Sequence, residues 1–233
     1  MQEEVSFSAD NEWEAGRSGP GLFSFLLSPA VATLIFGALL FAGLVRVPAS
    51  PELFSEKAKA FSTGGKDEAL ASFFAPEVLR WEAEILEWAG EHELDANLVA
   101  TVMQIESCGD PQALSGAGAM GLFQVMPYHF ADGEDSYAPA TNALRGLAYL
   151  AKSMDNFEGD ASMAMAGYNG GINGASRPQV QWAQETVDYQ YWGENIYEDA
   201  REGRSNSAVL NEWMAAGGAS LCAQAGQRLA ALP

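Results

Sequence analysis

The chain has 233 residues and a formal net charge of −19, with 12 Lys and Arg against 31 Asp and Glu. So acidic a balance leaves no basic stripe for a phosphate backbone, which argues against nucleic acid as a partner. Hydrophobic residues make up 48% of the sequence, enough for one well-formed core with accessory segments.

The first part of the chain divides into three segments of different composition. Residues 1–20 are polar and acidic without periodicity, and they predict a disordered tail. Residues 21–46 carry no charge before Arg46 and exceed the roughly 20 apolar residues that cross a bilayer, so they predict a transmembrane helix. Residues 47–75 mix Pro, Ser and Gly with modest apolar content and predict a linker.

A cleaved signal peptide is the alternative interpretation of residues 21–46. Such a peptide has a basic leader and an apolar region of roughly 7 to 15 residues, whereas this leader is acidic and the apolar run is longer. Because residues 47–49 (VPA) resemble a cleavage site, removal stays open, but anchoring is favoured. Arg46, Lys57 and Lys59 after the span weakly favour a cytoplasmic C-terminal part, although long domains translocate largely regardless of charge.

A helix that ends before Gly109 is predicted after Asp95, a good N-cap in front of an apolar-periodic run. Its buried face comprises Val99, Val102, Met103 and Glu106. Burial and the negative end of the helix dipole both raise the pKa of a carboxyl group, and a protonated carboxyl is a general acid. The plainer interpretation is that Glu106 is a structural residue paired with Arg80 or Arg145.

The stretch after this helix is rich in small residues, reading SGAGAMGLFQVMP from Ser115 to Pro127. Small residues let a ligand approach the backbone closely, and Gln124 places an amide in an otherwise apolar run. The stretch is therefore interpreted as the wall of a cleft, although most such loops only turn the chain.

Four motifs in order resemble the soluble lytic transglycosylase family of lysozyme-like muramidases. They are ES at Glu106, SGAGAMGLFQVMP at Ser115, AGYNGG at Ala166 and ET at Glu185. The resemblance implies a mostly α, lysozyme-like domain over residues 76–203. Residues 204–233 lie outside the motifs, and their apolar pattern predicts a helical extension that is bent near Gly217 and Gly218 and packs over the domain. The motif at Ala166 departs from the family at Gly167, where Ala is usual.

What the resemblance implies about function is cleavage of the β-1,4 bond between N-acetylmuramic acid and N-acetylglucosamine in peptidoglycan, with a 1,6-anhydro product. Glu106 would be the general acid and base, and no cofactor or metal is expected. The substrate-binding residues that match the family are Ser115, Met120, Gln124, Tyr168 and Asn169. Glu185 is taken as structural. Since peptidoglycan is the partner, the chain is expected in the bacterial cell membrane with this domain on the extracytoplasmic side.

Two interpretations are possible for the cysteines, the acidic loop and the aromatic residues. The two cysteines, Cys108 and Cys222, form a disulfide if the domain is exported and are otherwise unrelated buried thiols. The acidic loop over residues 128–138 is more typical of a solvated surface than of a second catalytic carboxylate. Aromatic residues over 182–197 are more typical of core than of sugar stacking.

The helix over residues 142–154 is expected to bury Leu144, Leu147, Leu150, Ala151 and Met154.

Two alternatives to the transglycosylase remain, which are a hydrolytic muramidase that uses the same Glu106 and a non-catalytic protein that binds peptidoglycan.

Overall fold

A computed structural model describes residues 69–231 of the chain. The predicted acidic tail (1–20) and transmembrane helix (21–46) lie outside the described residues, as does all of the predicted linker except residues 69–75. Among residues 69–231, no helix combines the length and apolar character needed to span a bilayer.

The described residues form mainly α-helices, which confirms the prediction of a mostly α fold, and a long connection over residues 107–138 separates α3 from α4. The helices are α1 (Pro76–Leu79), α2 (Glu82–Glu91), α3 (Ala96–Glu106), α4 (Pro139–Asn156), α5 (Ala161–Gly170), α6 (Ile172–Ala175), α7 (Gln184–Arg201), α8 (Ala208–Trp213) and α9 (Ala219–Ala231). Single 3₁₀ turns lie at Pro127–His129 and Gln179–Gln181, and a π-type turn at Met214–Gly218 joins α8 to α9.

Local sequence rules explain where several helices begin. The Asp95 carboxylate accepts hydrogen bonds from the amides of Asn97 (2.8 Å) and Leu98 (3.2 Å), as its N-cap position predicts. Asp160 caps α5 in the same way through the amide of Met163 (3.1 Å). Pro76 and Pro139 occupy first-turn positions of α1 and α4, where a missing amide hydrogen costs nothing.

Helix α3 lies at the centre of the core. Leu98, Val99, Val102 and Met103 are fully buried, and α3 contacts α1, α2 and α7. Helix α5 packs against α4, α6 and α7. The C-terminal end of α3 therefore lies among several elements, and this position determines where the Glu106 side chain is held.

Helix α4 differs from its prediction at one side chain, because Leu144 is 49% exposed rather than buried. The buried stripe of α4 follows Ala143, Leu147, Leu150 and Met154, with Ala151 half-buried beside it. Leu144 lies four residues from the exposed Ala140 and Ala148, so it belongs to the outward stripe.

The C-terminal extension packs back onto the start of the domain. The chain bends where predicted, at Gly217 (φ 137°), and α9 then contacts α1. Arg228 of α9 donates to the Asp110 carboxylate (2.7 Å) and to the carbonyl of Gln112 (2.6 Å). Since Asp110 lies in the loop that follows Glu106, the extension is attached to that loop.

Candidate active site

Glu106 is the last residue of α3 and is half-buried. Burial is the main cause that raises the pKa of Glu106, from the ordinary 4.5 to about 8. The negative charge of Glu185 raises this pKa further, while a hydrogen bond from Tyr189 acts in the opposite direction. A carboxyl group with this pKa is mostly protonated at pH 7, which is the state a general acid needs.

The structure excludes the expected pairing of Glu106 with Arg80 or Arg145. The Arg145 guanidinium makes a two-pronged ion pair with Glu134, with Nη2 to Oε1 at 2.5 Å and Nε to Oε2 at 2.9 Å. Arg80 instead contacts the carbonyl of Leu229 at 3.5 Å. The plainer interpretation of Glu106 as half of a buried ion pair is therefore wrong for both arginines.

The hydroxyl group of Tyr189, on α7, is a polar neighbour of Glu106. The Tyr189 side chain is only 2% exposed, as predicted for a core aromatic, whereas Tyr191 on the same helix is 45% exposed and does not fit that prediction. The Tyr189 hydroxyl is buried and makes no hydrogen bond of normal geometry within residues 69–231. The hydroxyl nevertheless lies close enough to the Glu106 carboxyl for each to shift the pKa of the other. Long or poorly aligned hydrogen bonds of this kind are common in ligand-free active sites.

Tyr168, near the end of α5, is close enough to Glu106 for the charge of Glu106 to affect its pKa. Its hydroxyl donates to the carbonyl of Phe123 at 2.7 Å, which joins α5 to the glycine-rich loop. Burial and the charge of Glu106 both raise the pKa of Tyr168 well above 10. Two neutral phenols therefore lie near Glu106. Within residues 69–231 no cation contributes to its pKa, so no positive charge stabilises its ionised form.

Asn169 and Glu185 form a small polar network beside this site. The Thr186 hydroxyl donates to the side-chain oxygen of Asn169 (2.8 Å), which leaves the amide nitrogen of Asn169 to bond the Glu185 carboxylate. Burial raises the pKa of Glu185, and the Asn169 contact lowers it. The side chain of Glu185 is thus held by α5 in the neighbourhood of Glu106.

Ser115, Met120 and Gln124 all lie half-buried in the loop between α3 and α4. The Ser115 hydroxyl accepts from the amide of Ala119 (2.9 Å), and the Gln124 amide donates to the carbonyl of Gly121 (3.0 Å). The Met120 sulfur accepts from the Ser136 hydroxyl at 3.3 Å. All three side chains therefore make hydrogen bonds within the loop that carries them. They are also the loop side chains that the sequence analysis predicted to bind substrate.

Asn142 of α4, which the sequence analysis missed, anchors this loop. Its amide nitrogen donates to the carbonyls of Met120 (2.7 Å) and Ser136 (3.0 Å), and its oxygen accepts from the amide of Phe123 (2.8 Å). At Gly121 (φ 75°) a Cβ would lie 2.4 Å from the Asn142 nitrogen, so only glycine fits there. In the sequence, the signal for this role was a polar residue on the otherwise apolar face of α4. The structure shows that Asn142 is fully buried there, and a buried polar side chain needs hydrogen-bond partners.

Gly167, the departure from the family motif, is explained by its neighbours. A Cβ at this position would lie 2.3 Å from the Ser153 hydroxyl and 2.8 Å from the Phe157 ring. Ser153 is itself buried and donates to the carbonyl of Ala164 at 2.9 Å. The larger side chains on α4 and just after it occupy the space that an alanine methyl group would need.

Cys108 and Cys222 are joined as a disulfide, with their sulfur atoms 1.93 Å apart. The bond connects α9 to the residue two positions after Glu106. The Gln104 amide nitrogen lies 3.2 Å from the sulfur of Cys108 and 3.4 Å from that of Cys222, and its oxygen accepts from the amide of Ala75 (2.9 Å). The loop after Glu106 is thus held both covalently and by a buried amide.

Two carboxylates of the acidic loop over residues 128–138 have partners other than Glu106. Glu134 is paired with Arg145, and Asp135 accepts from the amide of Tyr137 at 3.0 Å. Within residues 69–231, no group of three or more His, Cys, Asp or Glu side chains is arranged to hold a metal ion.

The chain is similar to known proteins over a region that includes Glu106. Residues 84–188 match the family model described as the transglycosylase SLT domain. A transglycosylase of Enterobacteria phage PRD1 is 37% identical over 113 residues, which cover 48% of this chain and 40% of the phage protein. The membrane-bound lytic murein transglycosylase C of Histophilus somni (strain 2336) is 32% identical over 101 residues, covering 38% of this chain and 28% of that protein.

Among solved structures, the chain is similar to an inactive mutant of the lytic transglycosylase Slt from Pseudomonas aeruginosa. The match has a TM-score of 0.39 and 22% sequence identity, and it covers 65% of this chain and 24% of that one. The chain therefore spans less than half the length of each of these relatives.

Proposed function

This chain belongs to the transglycosylase SLT family through residues 84–188, and from that membership we propose that it is a membrane-anchored lytic transglycosylase acting on peptidoglycan. The bond cleaved is the β-1,4 linkage between N-acetylmuramic acid and N-acetylglucosamine. The observation that supports the proposal most directly is Glu106, a half-buried carboxyl group with a pKa of about 8 that lies near Tyr168 and Tyr189.

The proposed reaction uses Glu106 twice. As an acid, it gives its proton to the glycosidic oxygen, and the bond from that oxygen to C1 of the muramic acid breaks. As a carboxylate, it then takes the proton of the C6 hydroxyl on the same sugar, whose oxygen bonds to C1. The product is a 1,6-anhydro sugar, and Glu106 ends protonated as it began. Because the attacking group is tethered to the substrate, no second carboxylate is needed to activate water.

The other matched residues are proposed to shape the cleft for this substrate. The backbone from Ser115 to Ala119 offers close approach, since a Cβ at Gly116 or Gly118 would meet no atom within 4 Å. The side chains of Met120, Gln124, Tyr168 and Asn169 are held by contacts within the protein, and their outer surfaces are proposed to face the sugars.

The proposed location is the bacterial cell membrane, with residues 21–46 as a single-pass anchor and this domain on the extracytoplasmic side. The apolar composition of residues 21–46 supports the anchor. The disulfide between Cys108 and Cys222 supports the extracytoplasmic side, because disulfides persist in oxidising compartments.

The test is the mass of the products released from purified peptidoglycan by the full chain in detergent. Glu106→Gln is the test variant, and Glu91→Gln is the matched control, since Glu91 also ends a helix but is exposed. We expect muropeptides one water molecule lighter than hydrolytic ones, with the rate reduced about 10²- to 10⁴-fold by Glu106→Gln alone.

Two other results would replace the proposal. Products of full hydrolytic mass that depend on Glu106 would make the chain a hydrolytic muramidase. Binding to peptidoglycan without release of any product would make it a non-catalytic binding protein.

A further inference from the structure

Helix α9 makes two contacts with the residues that directly follow Glu106. Cys222 of α9 is bonded to Cys108, and the Arg228 guanidinium of α9 donates to the Asp110 carboxylate at 2.7 Å. Cys108 is fully buried, and Asp110 is 3% exposed. Helix α9 lies beyond the part of the chain that matches the family model, so family membership assigns no role to these contacts.

The backbone leaves the helical conformation directly after Glu106. Ser107 has a φ of −140°, and the next two residues have positive φ angles, 50° at Cys108 and 80° at Gly109. A positive φ is unfavourable for cysteine and persists only where surrounding contacts impose it. Both sulfur atoms of the disulfide lie against the amide nitrogen of Gln104, at 3.2 and 3.4 Å. The disulfide therefore packs on the same turn of α3 that carries Glu106.

The last turn of a helix frays easily, because its final carbonyl groups have no partners within the helix. Two contacts after this turn do not involve α9. The Ser107 hydroxyl donates to the carbonyl of Leu122 at 2.7 Å, and the Trp81 indole donates to the carbonyl of Gly109 at 2.9 Å. Release of α9 should therefore loosen the turn without unfolding the domain, and Glu106 should become more exposed to water.

The groups on other helices that share charge effects or hydrogen bonds with Glu106 are Tyr168 on α5 and Glu185 and Tyr189 on α7. None of these three is on α9. Release of α9 would thus act on Glu106 through its burial, which is the main cause that raises its pKa to about 8. A looser turn should lower that pKa toward its ordinary value.

We propose that α9 positions Glu106 for proton transfer, through the Cys108–Cys222 disulfide and the Arg228–Asp110 ion pair, and that formation of the disulfide completes the active site. Cys108, Cys222 and Arg228 are positioning residues, because they act on the substrate only through Glu106. This inference rests on the proposed function, in which Glu106 is the acid.

Formation of the bond is an oxidation that needs a partner. The two thiols lose two electrons and two protons, and a thiol–disulfide oxidant such as oxidised glutathione takes them up and becomes two thiols. In the folded chain Cys108 is fully buried and Cys222 is 5% exposed, so the finished bond is shielded from reductants. The bond is therefore a maturation step rather than a reversible switch, and the chain gains full activity where disulfides form.

The test compares the full chain in detergent with its Cys108→Ala/Cys222→Ala variant, at a temperature where circular dichroism shows both to be folded. We expect the rate of product release from peptidoglycan to fall about tenfold or more in the variant, because the acid is less well placed. The decline of the rate at high pH should also begin at lower pH in the variant. Lost stability alone would not move this decline.

Ile85→Ala is the matched control for lost stability, because Ile85 is fully buried on α2, which bears neither cysteine. Its Tm should fall, but its rate and its alkaline decline should match those of the unmodified chain. In addition, unmodified chain prepared with reduced thiols should gain activity as oxidised glutathione removes its free thiols. An equal loss of rate and an equal shift of the decline in Ile85→Ala would overturn the proposal.

Arg228→Gln tests the second contact, since it removes the ion pair with Asp110 and keeps the disulfide. We expect a smaller shift of the alkaline decline in the same direction. An unchanged rate and decline in the double cysteine variant, or in Arg228→Gln if the cysteine variant does not fold, would overturn the positioning role. Failure of the proposed function is recorded separately, as the absence of Glu106-dependent products from the oxidised, unmodified chain.

Discussion

At the scale of single residues, the chemistry centres on the proton that Glu106 holds at neutral pH. Its partners are Tyr168 and Tyr189, which carry no charge, and Glu185, whose negative charge opposes ionisation. This arrangement raises the pKa by burial and by like charge together, as in other carboxyl groups that serve as acids.

The first prediction concerns the pH dependence of turnover. Because the acid form of Glu106 starts the reaction and its pKa is about 8, the rate should hold to about pH 8. Above that pH it should fall about tenfold per unit as the carboxyl ionises. Initial rates of product release from peptidoglycan at graded pH provide the measurement. A decline that begins near pH 5 would mean that Glu106 ionises as an ordinary carboxyl does.

The raised pKa of Glu106 also makes the stability of the folded chain depend on pH. Between pH 4.5 and about 8, Glu106 ionises in the unfolded chain but not in the folded one, so unfolding releases a proton. Stability should therefore decrease as the pH rises through this window. The Glu106→Gln variant has no carboxyl group at this position, so it does not lose this stability. The Tm of the variant minus the Tm of the unmodified chain should therefore increase from pH 5 to pH 8. Thermal unfolding at several pH values tests this, and a constant difference would contradict it.

A third prediction concerns the Tyr189 hydroxyl. Its hydrogen bond favours the ionised form of Glu106, so Tyr189→Phe should move the alkaline decline of the rate to higher pH. The maximal rate should fall about 10-fold or more, because the carboxyl loses a neighbour that orients it. Phe fills the same space, and the hydroxyl that it lacks makes no hydrogen bond of normal geometry within residues 69–231, so the Tm should be retained. Tyr197→Phe, on the same helix, serves as the control for loss of a tyrosine hydroxyl.

At the scale of elements, the packing of α5 against α4 determines the residue at position 167. Gly167→Ala should destabilise the protein by about 1 to 3 kcal/mol, since its Cβ would lie 2.3 Å from the Ser153 hydroxyl. Gly174→Ala is the control, because a Cβ there meets nothing within 4 Å. Chemical denaturation measures both variants. If the contact with Ser153 causes the loss, Ser153→Ala should recover part of it in the double variant.

The attachment of α9 to the loop after Glu106 leads to the next prediction. The disulfide closes a separation of 114 residues, so in the chain-entropy model its loss costs about 4 to 5 kcal/mol at most. Reductant should lower the Tm of the unmodified chain to near that of Cys108→Ala/Cys222→Ala. The double variant should not respond to reductant, and a response from it would point to an effect unrelated to this bond.

At the scale of the whole molecule, the acidic surface and the apolar N-terminal segment divide the chain into parts of opposite character. The net charge of −19 of the whole chain favours solubility, while residues 21–46 carry no charge before Arg46. The full chain is expected in the membrane fraction of cells, and deletion of residues 1–46 should move it to the soluble fraction. Recovery of the full chain in the soluble fraction would contradict the anchor.

Much of this protein follows from the sequence alone, because many of its signals act over a few residues. Asp95 and Asp160 cap helices through amides two or three positions away, and Gly217 bends the chain where it stands. The position of Glu106 at the end of an amphipathic helix, and the order of the family motifs, are equally properties of the sequence.

Tertiary packing decided the relations between residues that are far apart in the chain. It paired Arg145 with Glu134 instead of Glu106, and it directed the Tyr189 hydroxyl of a core helix toward the carboxyl of another. It also made Asn142 the anchor of the cleft loop and turned Leu144 outward. Periodicity predicts which face of a helix is buried, but the atom that a buried side chain meets depends on how the helices pack together.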